Sequence, residues 1–187
     1  AGHAVVAHLS PFADRVHRIS IVSRGFALGF TLTPPERDKY QTTHSELIDE
    51  MAVLLGGRIA EEVFFGELTG GASNDIEKVT RIARAMVTEY GMSTLGPLNF
   101  SPMYDNRGYS QGEDPYRISD KMQEKVDAEM FRFVAEADAK ARTLINKHKK
   151  LVDKVVTRLL EIETLESEEF DELMGLPKAM PKNGEMA

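Results

Sequence analysis

The chain has 187 residues, 42% hydrophobic and 28% charged, with 30 acidic against 23 basic side chains and a net charge of −7. That size and balance fit one globular unit with a core of its own, and the acidity argues against nucleic acid as a partner. There is no cysteine, so disulfides and thiolate metal sites are excluded and any metal must be held by His, Asp or Glu.

No apolar run reaches the roughly 18–20 residues needed to span a bilayer. The opening Ala1-Gly2-His3-Ala4-Val5-Val6 reads as the interior of a helix, without an initiator Met or an N-cap, and the chain is expected to be a fragment of a longer one. This first helix is predicted to run to residue 9, with Pro11 as its stop. Residues 16–22 are β-branched and partly alternating, which predicts a strand. Ser23-Arg24-Gly25 predicts a turn, and residues 26–33 a second strand ended by Pro34-Pro35. Gly29 within it predicts a bulge or a close backbone approach.

Thr43 and Glu46 form a capping box. The helix they open carries Leu47, Ile48, Met51, Leu54, Leu55, Ile59 and Val63 on one stripe. Gly56-Gly57 interrupts it. An interior Gly costs about 1 kcal/mol relative to Ala, so the pair reads as a place where another element comes close. A Gly-rich loop over 66–72 leads to a helix from 75 to 90, ended by Gly91, with a stripe of Ile76, Val79, Ile82, Ala83, Met86 and Val87. Residues 101–117 read as a loop. Met122, Val126, Met130, Phe133, Ala137, Ala141 and Ile145 predict a long amphipathic helix, followed by shorter ones at 150–160 and 168–174.

The expected architecture is mainly α (α+β), with a small β hairpin or sheet near the N-terminus and a C-terminal helical hairpin. Residues 1–105 form the expected core and 106–118 a mobile loop. Residues 119–174 form helices of the same domain, and 175–187 a disordered tail.

Two residues stand out as ligand types. A lone His such as His3, in an apolar helix, reads either as a packed, hydrogen-bonded side chain or as a metal ligand. His8 lies about 140° around the helix from it, so the two cannot grip one ion. His17, His44 and His148 fall in other elements without ligand spacing. Asp75 stands near a helix start, where a carboxylate caps free N–H groups. Ser73 and Asn74 can cap there too, which leaves Asp75 open to either role. These residues alone make no complete metal motif.

Five segments occur in one order: Ala1 to Ala7 (AGHAVVA), Arg24-Gly25 with Leu28-Gly29-Phe30-Thr31, Leu55-Gly56-Gly57-Arg58 with Ala60-Glu61-Glu62, Thr69 to Asp75 (TGGASND), and Tyr90-Gly91-Met92-Ser93 with Leu95-Gly96-Pro97. Together they resemble the peptidase domain of FtsH-family ATP-dependent zinc metalloproteases (AAA proteases), closely over residues 1–100 and by pattern beyond. The first segment resembles the end of that family's H-E-x-x-H helix, cut within the motif. In such a helix, His residues at i and i+4 share one face and the Glu between them points at a metal-bound water.

The resemblance implies zinc as cofactor, His3 as the second His ligand and Asp75 as the carboxylate ligand. The first His and the catalytic Glu would fall in the two positions ahead of Ala1, so the chain as given is expected to be inactive. Zinc with an open fourth position lowers the pKa of its water to about 7, and the Glu carries that proton to the leaving amine. The strand residues Leu28, Gly29, Phe30 and Thr31 are expected to bind substrate by main-chain pairing at an open sheet edge.

The same resemblance implies ATP and Mg in an AAA domain outside this chain, where no G-x-x-x-x-G-K-[ST] loop occurs. It implies membrane attachment through N-terminal segments, a homo-hexamer or a hetero-hexamer with like subunits, unfolded or membrane polypeptides as substrates, and no nucleic acid. The expected place is the cytoplasmic face of the bacterial inner membrane, or a mitochondrial or plastid membrane. The alternative is a non-catalytic helical ring-assembly module, with the later helices and Gly56-Gly57 serving ring packing and Asp75 only a cap.

Overall fold

A capping box starts the central helix. Thr43 Oγ1 accepts the Glu46 N–H at 3.3 Å, and Glu46 Oε2 accepts the Thr43 N–H at 2.7 Å. The helix so opened, α2 (His44–Phe65), ends at Gly66 with φ 71°, a left-handed cap that glycine adopts without a Cβ penalty. The computed structural model describes residues 1–22, 29–33, 41–100, 118–175 and 177–180. The predicted turn at 23–25, the loop at 101–117 and Leu28 lie outside them.

Among the described residues the other elements are α1 (Gly2–Leu9), β1 (Arg18–Ser20), β2 (Phe30–Leu32), a 3-10 turn (Gly70–Ala72), α3 (Ser73–Thr88), α4 (Asp120–Lys147), α5 (Lys149–Ile162), β3 (Thr164–Glu166) and α6 (Ser167–Met174). The fold is therefore mainly α with one small antiparallel sheet, as the sequence predicts. Its strands run in the order β2-β1-β3. Ile19 pairs with Thr31 on one side and with Leu165 on the other. β3 is an addition to the predicted hairpin. A Cβ on Gly29 would fall 2.6 Å from the Ser20 carbonyl oxygen, so the close backbone approach expected at Gly29 is present.

Two apolar cores meet at α1. Val6 joins the first, with Leu47, Ile48, Met51, Leu55 and Ile59 of α2, Val79, Ala83 and Met86 of α3, and Val126, Phe133 and Ala137 of α4. Ala4, Val5 and Ala7 join the second, with Ile19, Val152, Val155, Leu159, Leu165 and Phe170. A short helix of Ala and Val can be buried on both faces because it has no bulky side chain to exclude a neighbour. α2 runs through Gly56-Gly57, and the close approach expected there is made by α1. Packing against α1 offsets the weak helix propensity of the pair. A Cβ on Gly2 would meet Ala60 Cβ at 2.8 Å, and one on Gly56 would meet the Gly2 carbonyl oxygen at 3.1 Å. The two backbones touch.

The C-terminal end of α1 is tied down by the end of the chain. His8, 2% exposed, lies 3.5 Å from Asp171 Oδ1 through Nδ1 and edge-on to Phe170. Arg15 holds the other oxygen of Asp171 at 2.5 Å. Main-chain carbonyls left open at a helix end need donors. The His8 carbonyl accepts the Ala179 N–H at 3.0 Å, and the Ser10 carbonyl accepts Lys178 Nζ at 2.7 Å. Lys178 and Ala179 of the expected tail thus reach back to the end of α1. Among the described residues no helix is long and apolar enough to cross a membrane.

Candidate metal centre

His3 stands on the first turn of α1, where that helix crosses α2. Its Nδ1 lies 2.8 Å from the carbonyl oxygen of Val53. A carbonyl only accepts, so Nδ1 carries the hydrogen, and in the neutral ring Nε2 keeps its lone pair. That lone pair faces Asp75 Oδ2 at 3.6 Å. The distance is too long for a hydrogen bond. Metal–ligand bonds of about 2.0–2.2 Å at tetrahedral angles place two ligand atoms about 3.4 Å apart, so the pair fits one zinc between its atoms. A ligating His commonly donates its second N–H to a carbonyl or carboxylate, and Val53 meets that need. Both side chains are open to solvent, His3 at 33% and Asp75 at 24%.

Asp75 reaches this place by way of the loop after α2. Glu61 accepts the Thr69 N–H at 3.2 Å and its hydroxyl at 3.1 Å, and Thr69 Oγ1 accepts the Gly71 N–H at 3.2 Å. These bonds fold the Gly-rich segment into the 3-10 turn that runs directly into α3. The helix starts at Ser73 rather than at 75, and its cap, Ala72, makes no side-chain bond. Asp75 is therefore within the first turn. Its Oδ2 faces His3, and its Oδ1 lies 3.9 Å from Lys78 Nζ. Arg142 of α4 grips the neighbouring Glu62 through both guanidinium arms, at 3.1 and 2.9 Å, which holds the Glu62 carboxyl below its ordinary value.

Three of the four expected substrate-binding residues lie beside His3. Gly29, Phe30 and Thr31 line a hollow of about 150 Å³ together with Ala1, His3, Ile19, Ser20 and Ile21. The fourth, Leu28, is outside the described residues. β2 forms one edge of the sheet. Among the described residues no third His, Asp or Glu joins the pair to make a metal-binding group. Reading the sequence missed Val53, whose contribution is a main-chain atom and carries no residue signature. It also missed the Glu61–Thr69 link. The spacing of Val53, Gly57 and Glu61 is the signal that could have found it, since residues four apart share a helix face.

The fold and site so far define a mainly α domain that sets a ligand-type His and Asp side by side, next to a strand at the edge of the sheet among the described residues. The model of peptidase family M41 matches residues 1–173. The ATP-dependent zinc metalloprotease FtsH of Thermotoga maritima is 44% identical over 179 residues, which cover 93% of this chain and 29% of that protein. The protein of the same name from Endomicrobium trichonymphae is 43% identical over 178 residues, 93% of this chain and 28% of its own length. That from Cupriavidus metallidurans is 40% identical over 187 residues, 99% of this chain and 29% of its own. The chain belongs to peptidase family M41. It spans less than a third of the length of these curated relatives.

Proposed function

We propose that the chain is the proteolytic part of an ATP-dependent, membrane-anchored zinc metalloendopeptidase, with His3 and Asp75 as two of the zinc ligands. The observation that carries this reading is the His3 Nε2 to Asp75 Oδ2 gap of 3.6 Å, with Nδ1 already committed to Val53. Zinc, when bound, polarises a scissile carbonyl and acidifies a water. His3 supplies a neutral nitrogen to it and Asp75 a charged oxygen. An extended polypeptide binds along Gly29, Phe30 and Thr31 by main-chain pairing, which suits a protease of broad sequence range because backbone pairing ignores side chains. The remaining His ligand and the general-base Glu of this reading are those of the H-E-x-x-H pattern whose last His is His3. Substrates are unfolded or membrane polypeptides. The intact protein is a ring of six like subunits, powered by ATP and Mg in a separate AAA domain and anchored in the bacterial inner membrane with this domain on the cytoplasmic face.

The test takes the longer protein with His-Glu ahead of Ala1, supplies zinc and ATP, and follows casein cleavage beside an Asp75→Ala variant. Cleavage by the first and none by the second is expected. Equal cleavage by both would remove Asp75 from the ligand set. A longer protein that takes up no zinc and cleaves nothing would favour a non-catalytic assembly module.

A further inference from the structure

Beneath the His3 ring, α2 carries no side chain. A Cβ built on Gly57 falls 2.8 Å from His3 Cε1 and 3.2 Å from Cδ2, and nearer still to Nε2. Contacts under 3.0 Å do not occur between packed carbon atoms, whose optimum is about 3.5–4.0 Å. The imidazole therefore occupies the space that any other residue's first side-chain carbon would take. One turn earlier on the same face, the Val53 carbonyl accepts the Nδ1 hydrogen at 2.8 Å. The ring lies against the helix backbone, fixed at Nδ1, with Nε2 over Gly57 and directed at Asp75.

The conformational freedom of glycine does not account for Gly57. It sits inside a continuous helix and is not among the glycines with positive φ. Its neighbour Gly56 has a separate reason, the backbone contact with Gly2. We infer that Gly57 is a positioning residue for His3: its missing Cβ, together with the Val53 carbonyl, sets the plane and tautomer of the ring so that Nε2 faces Asp75. The inference rests on the zinc reading above and deepens it. The orienting group is a main-chain oxygen, so no side-chain change at residue 53 removes it. Position 57 is where the seat can be altered without touching a ligand.

The test is a double-mutant cycle between Gly57→Ala and His3→Ala. Melts are run on the 187-residue chain in EDTA, and zinc affinity is measured on the longer protein with its preceding residues. Replacing a helix-interior Gly by Ala favours the helix. In the His3→Ala background, Gly57→Ala should raise Tm by about 2–4 °C. With His3 present, that rise should vanish, because the ring must leave its seat. Zinc affinity of the Gly57→Ala protein should fall by about 10–100-fold. An equal rise in Tm in both backgrounds, or wild-type zinc affinity in Gly57→Ala, would overturn the inference. If the wild-type protein itself takes no zinc, the ligand reading fails, and the metal-free melts still decide whether Gly57 seats the ring.

Discussion

Asp49 is fully buried on α2. It receives the Phe12 N–H at 3.0 Å and the Lys140 ammonium from α4. The two members of this pair are not equivalent, since the Asp49 side chain is 0% exposed and that of Lys140 is 34% exposed. Lys140→Met removes the charge partner that α4 brings to a fully buried carboxylate. Breaking a buried pair in this way costs about 3–5 kcal/mol. Asp49→Asn keeps an oxygen for Phe12 and frees an ammonium that can turn outward, so the loss is one charge-assisted hydrogen bond, about 1.5–3 kcal/mol. At about 2–4 °C of Tm per kcal/mol for a chain of this size, Lys140→Met should lower Tm by about 6–20 °C and Asp49→Asn by less. The double variant should be more stable than Lys140→Met alone, because a neutral amide has no charge left to strand. Urea unfolding at a common m-value measures the order. If Asp49→Asn proves as damaging as Lys140→Met, unequal burial is not what sets the cost and the reasoning fails.

Phe133 is 0% exposed in the core under α2, with His44 edge-on to its ring at 5.3 Å. Phe133→Ala should cost about 3–5 kcal/mol in urea unfolding, and a loss below about 1 kcal/mol would contradict its place in the core. Glu129, 12% exposed, has its carboxyl lowered from 4.5 to about 2, foremost by Arg132 and then by the Thr94 N–H, against the effect of burial. A folded-state value below the unfolded one gives stability that is complete above pH 4.5 and is lost as the pH falls toward about 2. Unfolding of the wild type and of Glu129→Gln across that window should show a gap that closes at the acid end. A gap independent of pH would refute the assignment.

Much of the fold was legible because its signals are local. The capping box at Thr43 and Glu46 spans four residues and forms both of its bonds. The stripes of α2 and α4 face the core through Met51, Ile59, Phe133 and Ala141 as the helical period requires. What escaped the sequence depends on distant partners. β3 is three residues long, too short for any period, and owes its strand form to pairing with β1. Ile76 fits the stripe of α3 yet is 41% exposed, since the first turn of that helix lies at the site and burial on its face begins at Val79. Gly56-Gly57 announced a close approach because glycine is costly inside a helix, but which element comes close, α1, belongs to a distant part of the chain. The approach of His3 to Asp75 has no trace in spacing at all, with 71 residues between them. Only the resemblance pointed to it.

The anchoring of α1 also has a consequence in time. His3 and its helix are held from one side by β1, which pairs with residues 164–166, and from the other by Asp171, Lys178 and Ala179. On the ribosome residues 164–179 emerge more than 150 residues after α1 does. Contacts that distant form late, because the intervening chain must first be ordered. A growing chain therefore carries His3 and its seat on α2 well before α1 is tied down at its far end.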